Sequence, residues 1–377
     1  MAQGLEDWLT LWRLLEQSPS AVLKLRAALG EPPAILAAGF DAWREAGLGP
    51  RWRKVWDAWH SGDDAAVRGD VERASRAIEA LAIRVLTLDD PAYPPLLREI
   101  ADPPPLLFCR GDSTLLSWPQ IAVVGSRRPS QNGIATARDF SARLAAQGLG
   151  ITSGLAFGID AAAHEAALAA NGMTVAVLGT GLADLYPRQH ARLANNILAR
   201  DGLLVSEFLP HTPPLQYHFP RRNRVISGLS LGVLVVEAGL PSGSLITARQ
   251  ALEQNREVWA IPGSIHNPQA KGCHALIREG ARLVDEPGHV LEDIGGRLRF
   301  APAPEREAAN AAPADPMDAR AAALLGALGW QVQSFDALVE RTGYDASTIA
   351  GLLTELELAG RIAVVAGGYE QLVTATV

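Results

Sequence analysis

Cysteine is nearly missing from this chain. Only Cys109 and Cys273 occur among 377 residues, far apart in sequence. Two cannot make a four-ligand zinc site or a disulfide framework, which points to a reducing compartment. Long apolar runs are missing as well: none approaches the ~18 residues a membrane-spanning helix needs. The opening stretch, MAQGLEDWLT, is acidic and has no basic segment followed by an apolar one, so no secretory signal and a cytoplasmic location are expected. The histidines lack ligand spacing with cysteines or carboxylates, so neither a metal nor a cofactor is expected. Positive charge is also short. A net charge of −7 argues against a uniformly basic nucleic-acid binder. What remains is the composition of a soluble globular protein, 48% hydrophobic and 20% charged, long enough for two or three domains.

The charge is unevenly placed. Residues 121–285 hold 15 Lys+Arg against 11 Asp+Glu, with six of the eight histidines, while the rest of the chain is strongly acidic. Within that window FPRRNRVISGLS, residues 219–230, puts three arginines in four positions at the start of an apolar helix.

Residues 1–78 read as a small helical domain of SAM or helix-hairpin-helix type, with Trp52, Trp56 and Trp59 at i, i+4 and i+7 as a core stripe. Residues 79–300 alternate strands with helices. IAVVG, GITSG, TVAVLG, LGVLVVEAG, EVWAIPG and ARLVDE are the strands, and helices are expected near 133–147, 158–170, 188–200 and 244–255. Buried apolar strands alternating with helices predict an α/β fold with an extended, Rossmann-like, doubly wound parallel sheet. Residues 301–317, rich in Ala and Pro, read as a linker. Residues 318–377 outline a winged helix, three helices and a Gly-Gly hairpin, with Asp345 as an N-cap and Gly360 as a helix stop.

In such a sheet, ligands bind where strand ends meet helix starts. The first such loop, GSRRPSQNG, offers Gly125 for a tight turn and Ser126, Arg127 and Arg128 beside a helix N-terminus, where a phosphate is favoured. SGLAFGID brings Asp160 to a helix start, in a structural role as readily as a ligand-binding one. In VVEAGLPSGSLITA, the small residues Ser242, Gly243 and Ser244 open a helix whose amides can converge on an anion, with Thr247 a turn further in. Glu237 at that strand end suits loop ordering better than catalysis. Lys271 lies between a Pro/Gly loop and another helix and is a candidate phosphate contact. No G-x-G-x-x-G is present, so a dinucleotide site is not expected.

Together, VVGSRRPS, SGLAFGIDAAAH, VLGTGLADLYP, FPRRNRVISGLS, VVEAGLPSGSLITA and PGSIHNPQAKGCHALIREGA resemble the DNA-processing protein A family (DprA, also called Smf). The resemblance implies sequence-independent binding of single-stranded DNA and protection of that strand in natural transformation. It also implies delivery of the strand to the RecA recombinase, a homodimer through the Rossmann-like domain, and no catalysis. Ala270 departs from the serine common in the family. Arg222 and Arg224 match the family's F-P-x-R-N-R signature, and Arg221 occupies its variable position. On a helix Arg221 and Arg224 share a face and Arg222 points elsewhere. Some should reach phosphates, and one can brace a carboxylate such as Glu237. Phe157, Tyr186, Tyr217 and Phe219, near the motif loops, are expected in the core rather than on a base-stacking platform.

Two other readings compete. Nucleotide phosphoribohydrolases of related fold carry a P-G-G-x-G-T loop, but GLPSGSLIT lacks both the paired glycines and the acidic residue that follows them. A winged-helix regulator needs Arg, Lys, Asn or Gln on its reading helix. DASTIAGLLTELELAG has none, and residues 318–377 hold 3 Lys+Arg against 7 Asp+Glu.

Overall fold

The computed structural model describes residues 3–295, 318–329, 332–365 and 367–371; the linker expected at 301–317 lies outside them. The chain opens with six helices, α1 (Gln3–Leu14), α2 (Pro19–Leu29), α3 (Pro32–Ala37), α4 (Phe40–Glu45), α5 (Arg53–Ser61) and α6 (Ala65–Ala80). Prolines start α2 and α3, where a missing N–H costs nothing. The tryptophans are core. Trp8, Trp12, Trp43 and Trp52 are buried, and the half-buried Trp56 and Trp59 donate their indole N–H groups to the carbonyls of Ala38 and Leu36. Trp52 sits in a short 3-10 turn ahead of α5 rather than on the helix itself.

The central domain comprises β1 (Arg84–Thr87), α7 (Pro95–Arg98), β2 (Leu106–Gly111), β3 (Gln120–Val124), α8 (Gln131–Ala146), β4 (Gly150–Ser153), α9 (Ile159–Ala169) and β5 (Thr174–Leu178). It continues with α10 (Ala191–Ala199), β6 (Leu203–Ser206), α11 (His218–Gly228), β7 (Gly232–Val235), α12 (Gly243–Glu253), β8 (Glu257–Ala260), α13 (Lys271–Arg278), β9 (Arg282–Leu283) and α14 (Pro287–Ile294). The strands form one sheet in the order β1-β2-β6-β5-β4-β3-β7-β8-β9. All pairings from β6 to β9 are parallel, while β1–β2 and β2–β6 are antiparallel. Strands β3, β4, β5 and β7 are buried along their whole length, as a sheet covered on both faces requires. The doubly wound expectation therefore stands, extended by three strands, β1, β2 and β6, that the sequence reading did not name.

One face of the sheet packs α11, α12 and α13 in a cluster that includes Val225, Leu245, Ala248 and Leu276. The other packs α8, α9 and α14 through Phe140, Leu144, Ala163 and Val290. The helical domain joins the sheet in a third cluster, where Trp12 and Leu15 share a core with Phe108, Leu178 and Leu204.

The C-terminal unit contains α15 (Ala319–Leu328), α16 (Phe335–Thr342), α17 (Ala346–Leu358), β10 (Ile362–Val365) and β11 (Gly368–Gln371). This is the expected winged helix. Asp345 caps α17 by accepting from the amides of Ser347 and Thr348. Ile349, Leu352, Leu353 and Leu356 face its own core. The amide of Asn132, in the first turn of α8, donates to the carboxylate of Glu370 on β11.

Candidate nucleic-acid interface

The winding of the sheet reverses between β3 and β7, which are neighbours although α8 to α11 intervene in sequence. At such a switch point the loops leave in opposite directions and open a crevice. Here the crevice is a cavity of about 850 Å³ lined by the loops after β3, β4, β5 and β7 and by one face of α11.

The loop after β3 is held by its backbone. The Ser126 amide donates to the Glu237 carbonyl at 2.7 Å, and the Ser126 carbonyl accepts from the Ile159 amide at 3.2 Å. Gly158 makes this approach possible: its φ is +79°, and a Cβ there would lie 2.3 Å from the Ser126 carbonyl oxygen. Arg127 and Arg128 project from the loop, exposed, and neither forms an ion pair among the described residues. The Arg127 guanidinium stands 5.8 Å from the centre of the Phe219 ring.

Two carboxylates organise these loops. Glu237 accepts from the Ser130 amide at 2.9 Å, the Ser130 hydroxyl at 2.7 Å and the Asn267 side chain at 3.3 Å. Buried Asp160 accepts from the amides of Gly154 and Ala156 at 3.0 and 3.3 Å. Burial pushes the Asp160 carboxyl up, and the nearby Arg222 charge opposes this.

Arg222 is buried in the cavity wall. It donates to the carbonyl of Gly154 at 2.7 Å, to that of Val177, and to Asn223 Oδ1 at 3.2 Å. Burial lowers its pKa to about 10 while Asp160 works the other way, so it stays cationic at neutral pH. Opposite, Ser242 caps α12 and accepts from the Ser244 amide at 3.3 Å. Ser242, Gly243, Ser244 and Thr247 all line the cavity. The N-terminus of α12 presents amides and a positive dipole end to the same space that the arginines face.

The structure brings together Gly125, Ser126, Arg127, Arg128, Arg222, Ser242, Gly243, Ser244 and Thr247 of the residues singled out in sequence. It does not bring in three others. Arg221 and Arg224 lie on the far side of α11, where both donate to Glu207, Arg221 at 2.9 Å, and Arg224 also faces Asp102 at 3.0 Å. The braced carboxylate is thus Glu207, not Glu237. Helix geometry is the reason: Phe219, Arg222, Asn223 and Ile226, at i, i+3, i+4 and i+7, face the cavity, so positions i+2 and i+5 cannot. Lys271 is the exposed first residue of α13, outside the cavity lining, which Gln269 reaches instead.

The aromatic residues correct another expectation. Phe157, Tyr186 and Tyr217 are 40%, 43% and 66% exposed, and only Phe219 is half-buried. They stand on loops beyond the strand ends, where no further layer covers them. Tyr186 and Phe219 have ring centres 5.7 Å apart, beside Arg127. Gln216, Asn223 and Gln269 also line the cavity; of these only Asn223 had a readable signal, the helical stripe shared with Phe219. Among the described residues no group of three or more His, Cys, Asp or Glu could hold a metal. No described helix is long and apolar enough to cross a membrane. Burial pushes the Cys109 and Cys273 thiols up to about 12, which keeps both protonated at neutral pH.

Known proteins are similar to this chain in sequence and fold. A family model described as DNA recombination-mediator protein A matches residues 84–295, and one described as the DprA winged helix domain matches residues 307–368. Protein Smf of Escherichia coli is 48% identical over 308 residues, 81% of this chain and 82% of that protein. The DNA processing protein DprA of Streptococcus pneumoniae is 50% identical over 207 residues, 55% of this chain and 72% of that protein. The crystal structure of the Streptococcus pneumoniae protein superposes with a TM-score of 0.64 at 37% identity, covering 75% of this chain and 94% of that one. A Helicobacter pylori DNA processing protein A, described for its single-stranded DNA binding mode, gives a TM-score of 0.51 at 27% identity over 58% of this chain and 97% of that one.

Proposed function

Because the chain belongs to the DNA recombination-mediator protein A (DprA/Smf) family, we propose that it binds single-stranded DNA without sequence preference in the cavity at the switch point of its sheet. One observation carries this reading. Two exposed arginines with no ion pair among the described residues, the N-terminus of α12, the exposed Tyr186 ring and the half-buried Phe219 ring line a single cavity.

Each part has a task. Arg127 and Arg128 meet phosphates as cations, and the α12 amides meet them as dipoles. Phe157, Tyr186, Tyr217 and Phe219 offer faces to bases, and stacking tolerates any base because every base has a π-face. A duplex covers those faces with its own stacking, which favours a single strand. The Helicobacter pylori relative, described as binding single-stranded DNA, supports the same assignment. We further propose that the bound strand is protected and passed to the RecA recombinase by a homodimer formed through the Rossmann-like domain, in the cytoplasm. The description of the family as a recombination mediator supports that step.

Turnover is not part of the proposal. Both carboxylates at these loops are taken up in holding them: Glu237 has both oxygens engaged by Ser130 and Asn267, and Asp160 accepts from the amides of Gly154 and Ala156. The deciding experiment compares equilibrium binding of one sequence as single strand and as duplex at several salt concentrations. The single strand should bind at least ten-fold tighter; equal affinities with parallel salt slopes would refute the assignment.

A further inference from the structure

Helix α11 serves two surfaces at once. Its cavity face carries Phe219, Arg222, Asn223 and Ile226, while its far face carries Arg221 and Arg224, bonded to Glu207. Glu207 directly follows β6 and is almost completely buried. Its backbone carbonyl accepts from the indole N–H of Trp12, in α1 of the helical domain, at 3.1 Å. The Arg221 guanidinium lies 4.9 Å from the Phe208 ring centre and 5.5 Å from that of Trp12. Gln17, just past α1, accepts from the Leu209 amide at 2.8 Å and from the Thr212 hydroxyl at 3.2 Å. Residues 207–212 are therefore pinned from one side by the helical domain and from the other by α11.

We propose that the N-terminal helical domain is a positioning part of the strand-binding site, acting through Trp12, Glu207 and Arg221 to fix the rotation of α11. The inference rests on the reading of the cavity as a single-strand site. Both arginines converge on a single Glu207 oxygen; the other has no hydrogen-bond partner among the described residues. A rotation of α11 that moved Phe219 and Arg222 out of the cavity wall would pull both guanidinium groups off that atom. Hydrophobic contacts of Val225 and Leu229 hold the helix against the sheet, but they are non-directional. The bonds to Glu207 are directional and hold the angle from the far side of the helix, as the bonds of Arg222 to the Gly154 and Val177 carbonyls do from the cavity side.

The test uses the full chain with Arg221→Ala, Arg221→Lys and Trp12→Phe, the last removing the indole donor together with part of the buried ring. Affinity for an oligothymidylate is measured across salt concentrations, beside thermal unfolding. Arg221→Ala and Trp12→Phe should weaken binding by about three- to thirty-fold, the range of couplings carried through packed networks. The salt slope should not change, because no phosphate contact is lost, and Arg221→Lys should recover part of the affinity. A slope reduced by about 0.7 in Arg221→Ala would mean that Arg221 itself touches phosphate, which overturns the proposal. So would unchanged affinity with a lowered melting temperature, which marks a merely structural role. Arg127→Ala separates the two levels: if it too leaves binding and slope intact, the cavity reading has failed and the positioning role with it.

Discussion

Replacing Arg127 with alanine is the most direct probe of the cavity, because its effect can be counted. The side chain is exposed and takes no part in an ion pair among the described residues, so its loss leaves the fold alone. Of the cations in the lining, Arg222 already faces Asp160, whereas Arg127 and Arg128 have no such partner. Two uncompensated charges give a slope of log affinity on log salt of about −1.4 for a single strand, at ~0.7 per phosphate. Between ~50 and ~200 mM salt, binding should then weaken about seven-fold in the parent and only about 2.6-fold in Arg127→Ala. At the lower salt the variant should bind about ten-fold more weakly, the equivalent of one charge-assisted hydrogen bond of ~1.5 kcal/mol. Fluorescence anisotropy with labelled homopolymeric and mixed-sequence oligonucleotides reads both quantities. An unchanged slope would show that Arg127 meets no phosphate. A loss confined to one sequence would show that the site reads bases, and either result refutes the reasoning.

Further perturbations test the frame around the cavity. Gly158→Ala puts a Cβ 2.3 Å from the Ser126 carbonyl oxygen and 2.7 Å from Pro129 Cδ at a φ of +79°. Strain and overpacking should cost about 2–4 kcal/mol, read as a lowered urea midpoint, and a midpoint equal to the parent's would contradict the close approach. His164 is fully buried and its pKa is pushed by burial to about 3, and burial lowers His218 as well. Both bind protons in the unfolded chain first, so this stability is present above about pH 6.5 and is lost as pH falls, at ~1.4 kcal/mol per pH unit for His164. His164→Gln should flatten the urea midpoint between pH 7 and pH 5, and an equally steep profile in the variant would refute the assignment. Truncation at Pro316 should change single-strand affinity by no more than a few fold, since the exposed face of α17 carries Glu355 and Glu357 rather than cations. A ten-fold loss in a folded truncated protein would show that the tail binds DNA.

The parallel centre of the fold was legible because burial on both faces writes itself into sequence as continuous apolar runs. IAVV, TVAV and GVLV are such runs, and they are β3, β5 and β7. The missed strands lacked that mark. β1 has a single buried residue, Leu86, with Val85 and Thr87 half-buried on either side and Arg84 exposed. β2 follows three prolines, which read as a loop, and β6 has only four residues. Their place is also non-local: β2 pairs with β6, with Phe108 beside Ser206, a neighbour nearly a hundred residues away. The Trp52, Trp56 and Trp59 spacing found the core stripe of the helical domain, although Trp52 precedes the helix.

For the site, the loops were legible and the helix only half so. Small residues at a helix start and arginines after a glycine are local signals, and Arg127, Arg128 and Ser242 to Ser244 meet at one cavity. The arginine cluster of α11 is different, because neighbouring residues on a helix point about 100° apart and adjacent charges cannot share one target. Arg221 and Arg224 do share a face, as their spacing required, but tertiary packing decides which face meets the cavity. It is the one headed by Phe219, and Arg222 alone of the three falls on it. Arg221 and Arg224 pair with a carboxylate from elsewhere in the chain, Glu207, and Arg222 is buried on the Gly154 and Val177 carbonyls, near enough to Asp160 to feel its charge. The densest positive charge in the sequence is therefore mostly neutralised in the fold. The free charge lies in the exposed pair that forms no ion pair among the described residues, Arg127 and Arg128. A polyanion responds to uncompensated charge and not to local arginine count, so the proposed phosphate contacts fall to Arg127 and Arg128, and the motif that first suggested DNA is assigned the proposed positioning role.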